Sequence, residues 1–397
     1  MTALLDELQW RGFVHQATPG LGEHFARGSV TAYCGFDPTA RSLQLGNLMP
    51  LMLLLHLQRH GHRPIVLMGG GTGLIGDPSG KRSERPLLSR EELRANLEHQ
   101  QGQMQRFLDF GGGAAGALLL DNAEWLEAES LIGFLRDVGK HFSVNVMLQK
   151  ESVSARLEAG LSFTEFSYML LQAFDFLQLY RSHHCTLQVG GSDQWGNITA
   201  GVDLIRRVES GEAHALVAPL VTTASGAKFG KSEAGAIFLD PAVTSPYAFY
   251  QFWINTDDRD VESYLRLFTL ISRDDLKALQ AQQKTDAAGR PAQRTLAREV
   301  TTRVHGADAA VFDVLAQELP TTRVSGDGLS LVDAVIRGGL AKSKSEARRS
   351  IEQGGIYVNQ VRVKEVDAAV GGNDWLAGRN LLLRKGKKEY ALLRREG

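Results

Sequence analysis

Polar residues crowd the start of a strongly apolar segment near the beginning of the chain. The stretch RSLQLGNLMPLMLLLHLQ places Ser42, Gln44 and Asn47 around Gly46. Because proline is tolerated in the first turn of a helix, Pro50 predicts a helix that begins near Gly46. Free N–H groups at the amino end of a helix bind phosphate, and glycine allows a nucleotide to approach the backbone. The pattern fits a phosphate site, and simple capping by Ser42 or Asn47 is the alternative.

A second polar group follows helical spacing in LSFTEFSYMLLQAFDFLQLY. Ser162 and Glu165 form a capping-box pattern at its start. Tyr168, Gln172 and Asp175 then fall on one narrow stripe of a helix with about 3.6 residues per turn. The other side chains are mostly apolar, which predicts burial, and a buried carboxylate needs a donor. The stripe therefore faces either a polar ligand or a structural polar network.

A third pattern follows the predicted strand TLQVGG, where GGSDQWGN begins a helix. It places Asp193 and Gln194 at the carboxyl end of the strand, where ligands bind in α/β proteins. A carboxylate at that position suits the hydroxyl groups of a ribose. Helix capping by Ser192 and Asp193 is the alternative reading.

Two loops combine glycine with cations. GDPSGKRSER carries Lys81, Arg82 and Arg85, and KFGKS carries Lys228 and Lys231. Lysines on flexible loops suit transient binding of a polyphosphate, as charges that can swing into place. A charged solvent-facing surface explains each loop equally well when it is taken alone.

Apolar strands that alternate with helices must position these residues. VTAYCGF, RPIVLMGGG and TLQVGG read as buried strands, which predicts a Rossmann-type α/β fold with a doubly wound parallel sheet. We expect this catalytic domain over residues 1–244, including the KFGKS loop. Helical spacing predicts an α-helical domain over 245–320, and residues 321–328 read as a linker. Residues 329–397 should form a small α+β domain.

Composition limits the classes of function. Hydrophobic residues are 43% and charged residues 22% of the 397-residue chain, as in soluble globular proteins. No segment suggests a signal peptide or a membrane span, and two cysteines predict neither a disulfide framework nor a zinc site. We therefore expect a cytoplasmic protein. From Leu329 onward there are 14 Lys/Arg against 8 Asp/Glu, which indicates either a polyanion partner or a well-solvated surface.

Together these stretches resemble the bacterial tyrosyl-tRNA synthetases, which are class I aminoacyl-tRNA synthetases. The resemblance rests on YCGFDPTA, TGLIGDPSGKRSER, FLRDVGKHFSVN, SFTEFSYMLLQAFDF, GGSDQWGNITAG, KFGKS and SPYAFYQFWINTDDRDV, which extend over nearly the whole chain. QLGN occupies the position of the HIGH signature, and KFGKS that of the KMSKS loop. LAKSKSEARRSIEQGGIYVN resembles an S4-type RNA-binding domain.

The resemblance assigns a role to each candidate residue. For tyrosine it implies Tyr33 and Asp175 at the phenol, and Asp77, Tyr168 and Gln172 at the amino group. For ATP it implies binding by Cys34, Gly35, Asp37, Gly46, Asn47, Gly191, Asp193, Lys231 and Ser232, with Cys34 and Asp193 at the ribose. For catalysis it implies Thr39 and Gln44 at the γ-phosphate, Gln194 at the reacting carboxylate, and Lys81, Arg85, Lys228 and Lys231 at the pyrophosphate. For RNA binding we expect Lys342, Lys344, Arg348 and Arg349.

The implied activity is tyrosine–tRNA ligation by a homodimer, with ATP as a substrate together with Mg²⁺, no tightly bound cofactor and no metal ligands in the protein. The HIGH signature usually has histidines where this chain has Gln44 and Asn47, the family often has a lysine near Thr223, and the segment 307–328 is shorter than usual. The departures at Gln44, Asn47 and Thr223 favour the alternative of an RNA-binding or tyrosine-sensing paralogue that no longer activates tyrosine, whereas the shorter segment bears on how tRNA docks. The cations of the two loops favour the ligase. A tryptophan enzyme is disfavoured, because an indole cannot accept a hydrogen bond from Tyr33.

Overall fold

The structure is a computed structural model that divides into two compact units. They comprise Met1–Asp240 with Ser263–Leu270, and Pro241–Glu262 with Ile271–Gly397. The described residues are 2–79, 88–150, 153–154, 160–224, 226, 229–232, 235–286, 288–306, 319–324, 329–359, 361–371, 374–375, 380–386 and 389–395.

The first unit contains the predicted parallel sheet. Its strands are β1 (Gln16–Ala17), β2 (Thr31–Phe36), β3 (Arg63–Met68), β4 (Leu118–Asp121), β5 (Cys185–Gly191) and β6 (His214–Ala218). They lie in the order β1-β6-β5-β2-β3-β4, and every neighbouring pair is parallel except β1 with β6. The parallel part begins with β2, continues outward through β3 to β4, and then adds β5 and β6 on the other side of β2. This doubly wound topology confirms the predicted fold class and places a switch point between β2 and β5.

Helices connect and cover these strands. In the first unit they are Ala3–Arg11, Leu21–Ala26, Leu48–Arg59, Arg90–Met104, Ala123–Leu126, Leu131–Asp137, Val144–Leu148, Phe163–His183 and Trp195–Glu209. Helix Leu48–Arg59 is buried from Leu48 to Met49 and from Leu51 to Leu57, as its apolar sequence predicts. Each leucine buried in this way stabilises the fold by about 1.5–3 kcal/mol relative to exposure. A short hairpin of β7 (Lys231–Ser232) and β8 (Gly235–Ala236) follows β6.

The second unit contains the predicted helical segment and a small C-terminal sheet. Its helices include Pro246–Ile254, Arg273–Thr285, Pro291–His305, Leu331–Arg337 and Lys344–Glu352, and helix Val261–Phe268 spans both units. The sheet has the order β11-β10-β12-β13-β9, with β9 (Thr321–Val324), β10 (Ile356–Val358), β11 (Val361–Val363), β12 (Asn380–Lys385) and β13 (Glu389–Arg395). β9 lies in the segment read as a linker, where it pairs with β13 in parallel. None of the helices in the described residues is long and apolar enough to cross a membrane.

Candidate active site

The switch point gathers polar residues from four strands. Asp37 follows β2, Thr72 follows β3, Asn122 follows β4 and Gln194 follows β5. Because these strands are parallel, their carboxyl ends meet at one edge of the sheet. Helix Phe163–His183 packs against β5 and contributes the polar stripe. The sequence-predicted stripe and strand-end residues are therefore brought together.

Asp175 forms the deepest part of this site. Its carboxylate is 2% exposed and accepts hydrogen bonds from Asn122 Nδ2 (2.9 Å) and Trp125 Nε1 (2.8 Å). Burial, only partly offset by these two donors, raises the pKa of Asp175 to about 7. Tyr33 is also buried, and its hydroxyl has no hydrogen-bond partner among the described residues. Burial and the charge of Asp175 raise the pKa of Tyr33, so its phenol stays protonated and available to a polar ligand.

The glycine segment after β3 fixes the position of Asn122. The backbone N–H of Gly70 donates to Asp121 Oδ1 (3.0 Å), and that of Gly71 donates to Asn122 Oδ1 (2.8 Å). A Cβ atom at Gly70 would lie 2.2 Å from Asp121 Oδ1, which is closer than any side chain permits. Glycine at position 70 therefore allows the backbone to approach Asp121 closely. Because the Gly71 N–H donates to Asn122 Oδ1, the Nδ2 group of Asn122 is directed toward Asp175.

A second carboxylate lies in the same network. Asp37 accepts from Tyr168 Oη (3.0 Å) and from Thr72 Oγ1 (2.9 Å). Asn122 Nδ2 also donates to Thr72 Oγ1 (3.0 Å), so hydrogen bonds run without a break from Asp175 to Tyr168. Burial, followed by the charge of Asp37, raises the pKa of Tyr168. Asp37, assigned to ATP by the family resemblance, thus lies against a residue assigned to tyrosine.

A cluster of amides holds the third carboxylate. Asp77 accepts from Gln194 Nε2 (2.7 Å) and from the Ser79 backbone N–H (2.9 Å). Gln172 Nε2 donates to Gln194 Oε1 (3.3 Å), and Asn197 Nδ2 donates to Gln172 Oε1 (3.0 Å). Asp37 and Asp77 therefore lie close to the stripe that carries Asp175, and this grouping of carboxyl groups favours a cation.

The QLGN segment forms a short 3₁₀ turn, Leu45–Asn47, directly before helix Leu48–Arg59. Asn47 Oδ1 accepts from the Gln44 backbone N–H (2.8 Å), so Asn47 caps the turn through its oxygen. Ser42 is buried, donates to Gln103 Oε1 (3.2 Å) and accepts from the Asp240 N–H (2.9 Å), which makes it structural. A Cβ atom at Gly46 would contact nothing, so space is open at this helix end.

The KFGKS loop lies beside the QLGN turn. Gly230 has a φ of 81°, and a Cβ atom there would lie 3.1 Å from Leu45 Cβ. The Ile237 N–H donates to Gly230 O (2.9 Å), and the Leu45 N–H donates to Ile237 O (2.9 Å). Lys231 is exposed in β7. Lys81, Arg85 and Lys228, together with the side chain of Ser232, lie outside the described residues.

The remaining ATP candidates lie in β2 and β5 or directly after these strands. Thr39 is exposed in the loop after β2, and a Cβ atom at Gly35 would contact nothing. Cys34 is buried, which raises the pKa of its thiol to about 12, so this group is neutral. Gly191 ends β5 and Asp193 follows it in an exposed position.

The candidate RNA-binding residues lie in the second unit. Lys344, Arg348 and Arg349 are exposed on helix Lys344–Glu352, and Lys342 is exposed just before it. Ser343 caps the helix by accepting from the Glu346 N–H (3.2 Å), as the capping-box pattern predicts. The carboxylate of Glu346 instead accepts from the Lys342 N–H (2.9 Å) and Lys385 Nζ (2.8 Å).

Four site residues escaped the sequence reasoning: Thr72, Asn122, Trp125 and Asn197. Asn122 directly follows the apolar run ALLLD, so its position at the end of a strand was a usable signal. Trp125 carries no such signal, since a tryptophan in a short helix reads as an ordinary core residue.

Known families match the chain over nearly its whole length. Residues 26–312 match the family described as tRNA synthetases class I (W and Y), and residues 312–393 match the tyrosine–tRNA ligase SYY-like C-terminal domain. The tyrosine–tRNA ligase of Roseiflexus castenholzii is 52% identical over 422 residues, covering 99% of this chain and all of that protein. That of Anaeromyxobacter dehalogenans strain 2CP-1 is 51% identical, with the same coverage.

Solved structures agree with the fold. A C-terminally truncated mitochondrial tyrosyl-tRNA synthetase from Coccidioides posadasii superposes with a TM-score of 0.70 at 30% identity, over 80% of this chain and 92% of that one. The Archaeoglobus fulgidus tyrosyl-tRNA synthetase complexed with L-tyrosine, at 16% identity and a TM-score of 0.58, shares the fold over 78% of this chain and 99% of that one. With both family matches and half-identical relatives across its length, the chain belongs to the tyrosine–tRNA ligases, a family of class I tRNA synthetases.

Proposed function

We propose that the chain activates L-tyrosine with ATP and then transfers the tyrosyl group to the 3′-terminal ribose of tRNA(Tyr). In the first step a tyrosine carboxylate oxygen bonds to the α-phosphorus of ATP, and the bond to the β-phosphate breaks to release pyrophosphate. In the second step a ribose hydroxyl attacks the tyrosyl carbonyl and AMP leaves. The nucleophile of the first step is already ionised, so the protein's task is positioning and charge stabilisation.

The buried Tyr33 hydroxyl, which has no hydrogen-bond partner among the described residues and interacts with the charge of Asp175, is the observation that carries this proposal. A substrate phenol can donate to Asp175 and accept from Tyr33, which pairs a group that otherwise costs free energy. Asn122 and Trp125 hold Asp175 in place for this contact. Phenylalanine lacks the phenolic hydroxyl and would leave Tyr33 without a hydrogen-bond partner and Asp175 without the substrate's donor. The pocket should therefore reject phenylalanine.

The other end of tyrosine fits the amide cluster. The ammonium group would lie near Asp77, Tyr168 and Gln172, where the local carboxylates compensate its charge. Gln194 donates to Asp77 and accepts from Gln172, so it adjoins both residues assigned to the ammonium group. We assign Gln194 to the neighbouring carboxylate of the substrate.

For ATP, the proposal uses the open helix end and the two loops. Gly46 and Gly35 leave room for the nucleotide, and the dipole at the amino end of helix Leu48–Arg59, next to Asn47, favours phosphate. Cys34 and Asp193 would face the ribose and Gly191 the nucleotide, with Thr39 and Gln44 at the γ-phosphate. Lys81, Arg85, Lys228, Lys231 and Ser232 would contact the phosphates and the leaving pyrophosphate. Mg²⁺ enters with ATP as part of that substrate.

The assembly and the tRNA contact are further parts of the proposal. Several large apolar side chains are exposed, including Leu131 (71%) and Ile132 (73%) on helix Leu131–Asp137 and Phe163 (77%) at the start of helix Phe163–His183. Exposed apolar residues on this scale suit a contact with a second copy of the chain, hence a homodimer. Lys342, Lys344, Arg348 and Arg349 would bind tRNA phosphates. We place this activity in the cytoplasm.

Tyrosine-dependent exchange of labelled pyrophosphate into ATP tests the activation step. The purified chain should catalyse it, Asp175→Ala should lose it, and the exposed-site control His99→Gln should retain it. Gln44→His should change the rate only modestly if the QLGN turn holds ATP without histidines. No exchange by the unmodified chain, with tyrosine still bound and exchange restored by Gln44→His, would instead identify a binding protein built on a synthetase fold.

A further inference from the structure

Two histidines and a glutamate form a cluster at the edge of the first unit's sheet, apart from the candidate active site. His24 lies in helix Leu21–Ala26, His214 begins β6, and Glu212 lies just before it. One potential ligand atom from each residue lies within 4.8 Å of the others. The two imidazole centroids are 4.5 Å apart.

In each imidazole, one nitrogen forms a hydrogen bond with a threonine hydroxyl and the other does not. His24 Nε2 lies 2.8 Å from Thr186 Oγ1, and His214 Nδ1 lies 3.2 Å from Thr18 Oγ1. The other nitrogens, His24 Nδ1 and His214 Nε2, are buried without a hydrogen-bond partner in the described part of the chain. His214 is only 3% exposed, and its Nε2 lies 3.4 Å from Glu212 Oε1. His24 Nδ1 is thus buried without a partner in the described residues, and the neighbour of His214 Nε2 is the exposed carboxylate of Glu212, so both nitrogens are open to a ligand that also contacts Glu212.

The two oxygens of the Glu212 carboxylate have different neighbours. Arg27 donates to Oε2 (2.6 Å), whereas Oε1 lies on the side of His214. Oε1 is therefore the oxygen that can bind a metal together with the two imidazoles.

We propose that His24, Glu212 and His214 bind a divalent transition-metal ion, best matched by Zn²⁺. Two imidazole nitrogens and one carboxylate oxygen are a ligand set that zinc uses, with water as the fourth ligand. Metal–ligand bonds of about 2.0–2.1 Å require tetrahedral ligand atoms about 3.4 Å apart. Glu212 is exposed and can move to close the remaining gap. The threonine hydroxyls orient the imidazoles by hydrogen bonds to their other nitrogens.

The position of the cluster indicates a structural ion. His214 begins β6 and Thr186 lies near the start of β5, so the cluster is at the amino ends of the parallel strands. The candidate active site is at the carboxyl ends. A metal here would tie helix Leu21–Ala26 to the sheet edge without contact to tyrosine or ATP.

Metal titration of the full-length chain tests this proposal. After treatment with a chelator, Zn²⁺ is added against a chromophoric competitor, and Co²⁺ serves as a spectroscopic probe. We expect one Zn²⁺ per chain, a tetrahedral Co²⁺ absorption band and a higher midpoint of thermal unfolding. His24→Gln and Glu212→Gln should each weaken Zn²⁺ affinity at least about 10-fold, since even residues that only orient metal ligands have effects of this size. The exposed control His99→Gln should bind as the unmodified chain does.

Two results would overturn the proposal. One is the absence of bound Zn²⁺ at micromolar concentrations of metal, which would leave the cluster a neutral polar contact. The other is an unchanged Zn²⁺ affinity in Glu212→Gln. Because Glu212 is exposed, this substitution should not disturb folding. Tyrosine-dependent pyrophosphate exchange should be equal with and without Zn²⁺, so this test is independent of the proposed ligase activity.

Discussion

Replacing Tyr33 with phenylalanine tests whether its hydroxyl serves a ligand or stabilises the fold. The Tyr33 hydroxyl is buried and unpaired among the described residues, whereas the Tyr168 hydroxyl donates to Asp37 at 3.0 Å. Tyr168→Phe is therefore a matched control, with the same atom removed from a buried tyrosine of the same site.

The two variants should differ in stability. An unpaired buried hydroxyl costs about 1–3 kcal/mol, so Tyr33→Phe should leave the free energy of unfolding unchanged or raise it by about 1 kcal/mol. Tyr168→Phe removes a hydrogen bond to a carboxylate and should lower it by about 1.5–3 kcal/mol. For tyrosine activation, Tyr33→Phe loses one neutral hydrogen bond of about 0.5–1.5 kcal/mol, hence about 2–13-fold in kcat/KM. The kcat/KM for phenylalanine should not change, so discrimination falls by the same factor.

Urea denaturation of the ligand-free chain and pyrophosphate exchange with each amino acid measure these effects. The reasoning is refuted if Tyr33→Phe destabilises the protein as much as Tyr168→Phe, because the hydroxyl then has a structural partner. It is equally refuted if kcat/KM falls by the same factor for tyrosine and phenylalanine.

Three other perturbations test the surrounding structure. Burial raises the pKa of Asp175 from 3.8 to about 7, so the folded state holds a proton that the unfolded state releases. This stabilisation is complete below about pH 4 and lost as the pH rises through 7, so urea denaturation should show the unfolding free energy falling by about 2–3 kcal/mol between pH 5 and 8 relative to Asp175→Asn. Gly201→Ala, whose Cβ would lie 2.9 Å from the Phe176 ring, should cost about 1–3 kcal/mol in thermal denaturation, while Gly102→Ala, with open space around it, should stabilise its helix. Arg348→Gln should reduce the slope of log tRNA affinity against log salt by about 0.7–0.9 in filter binding and leave pyrophosphate exchange unchanged.

The parallel sheet could be predicted because its strands are continuous apolar runs. β2 and β3 lie within the predicted segments, and β5 begins one residue before the predicted TLQVGG. The helical stripe was also predictable, since spacing alone places Tyr168, Gln172 and Asp175 on one face of a helix.

The partners of that stripe could not be predicted. Asp175 meets Asn122 and Trp125 only because β4 adds next to β3, and strand order is not encoded in local spacing. β9 was missed because Thr321–Val324 is a short edge strand whose pairing with β13 is decided by distant residues. The His24, Glu212 and His214 cluster escaped for the same reason, because helix Leu21–Ala26 meets β6 only in the folded sheet.

Transfer of labelled tyrosine to tRNA by the purified chain tests the central claim most directly. With ATP, Mg²⁺ and tRNA present, the account predicts tyrosyl-tRNA in molar excess over enzyme, and no product when ATP is omitted. Failure to form tyrosyl-tRNA, while tyrosine still binds in the Asp175 pocket, would contradict it.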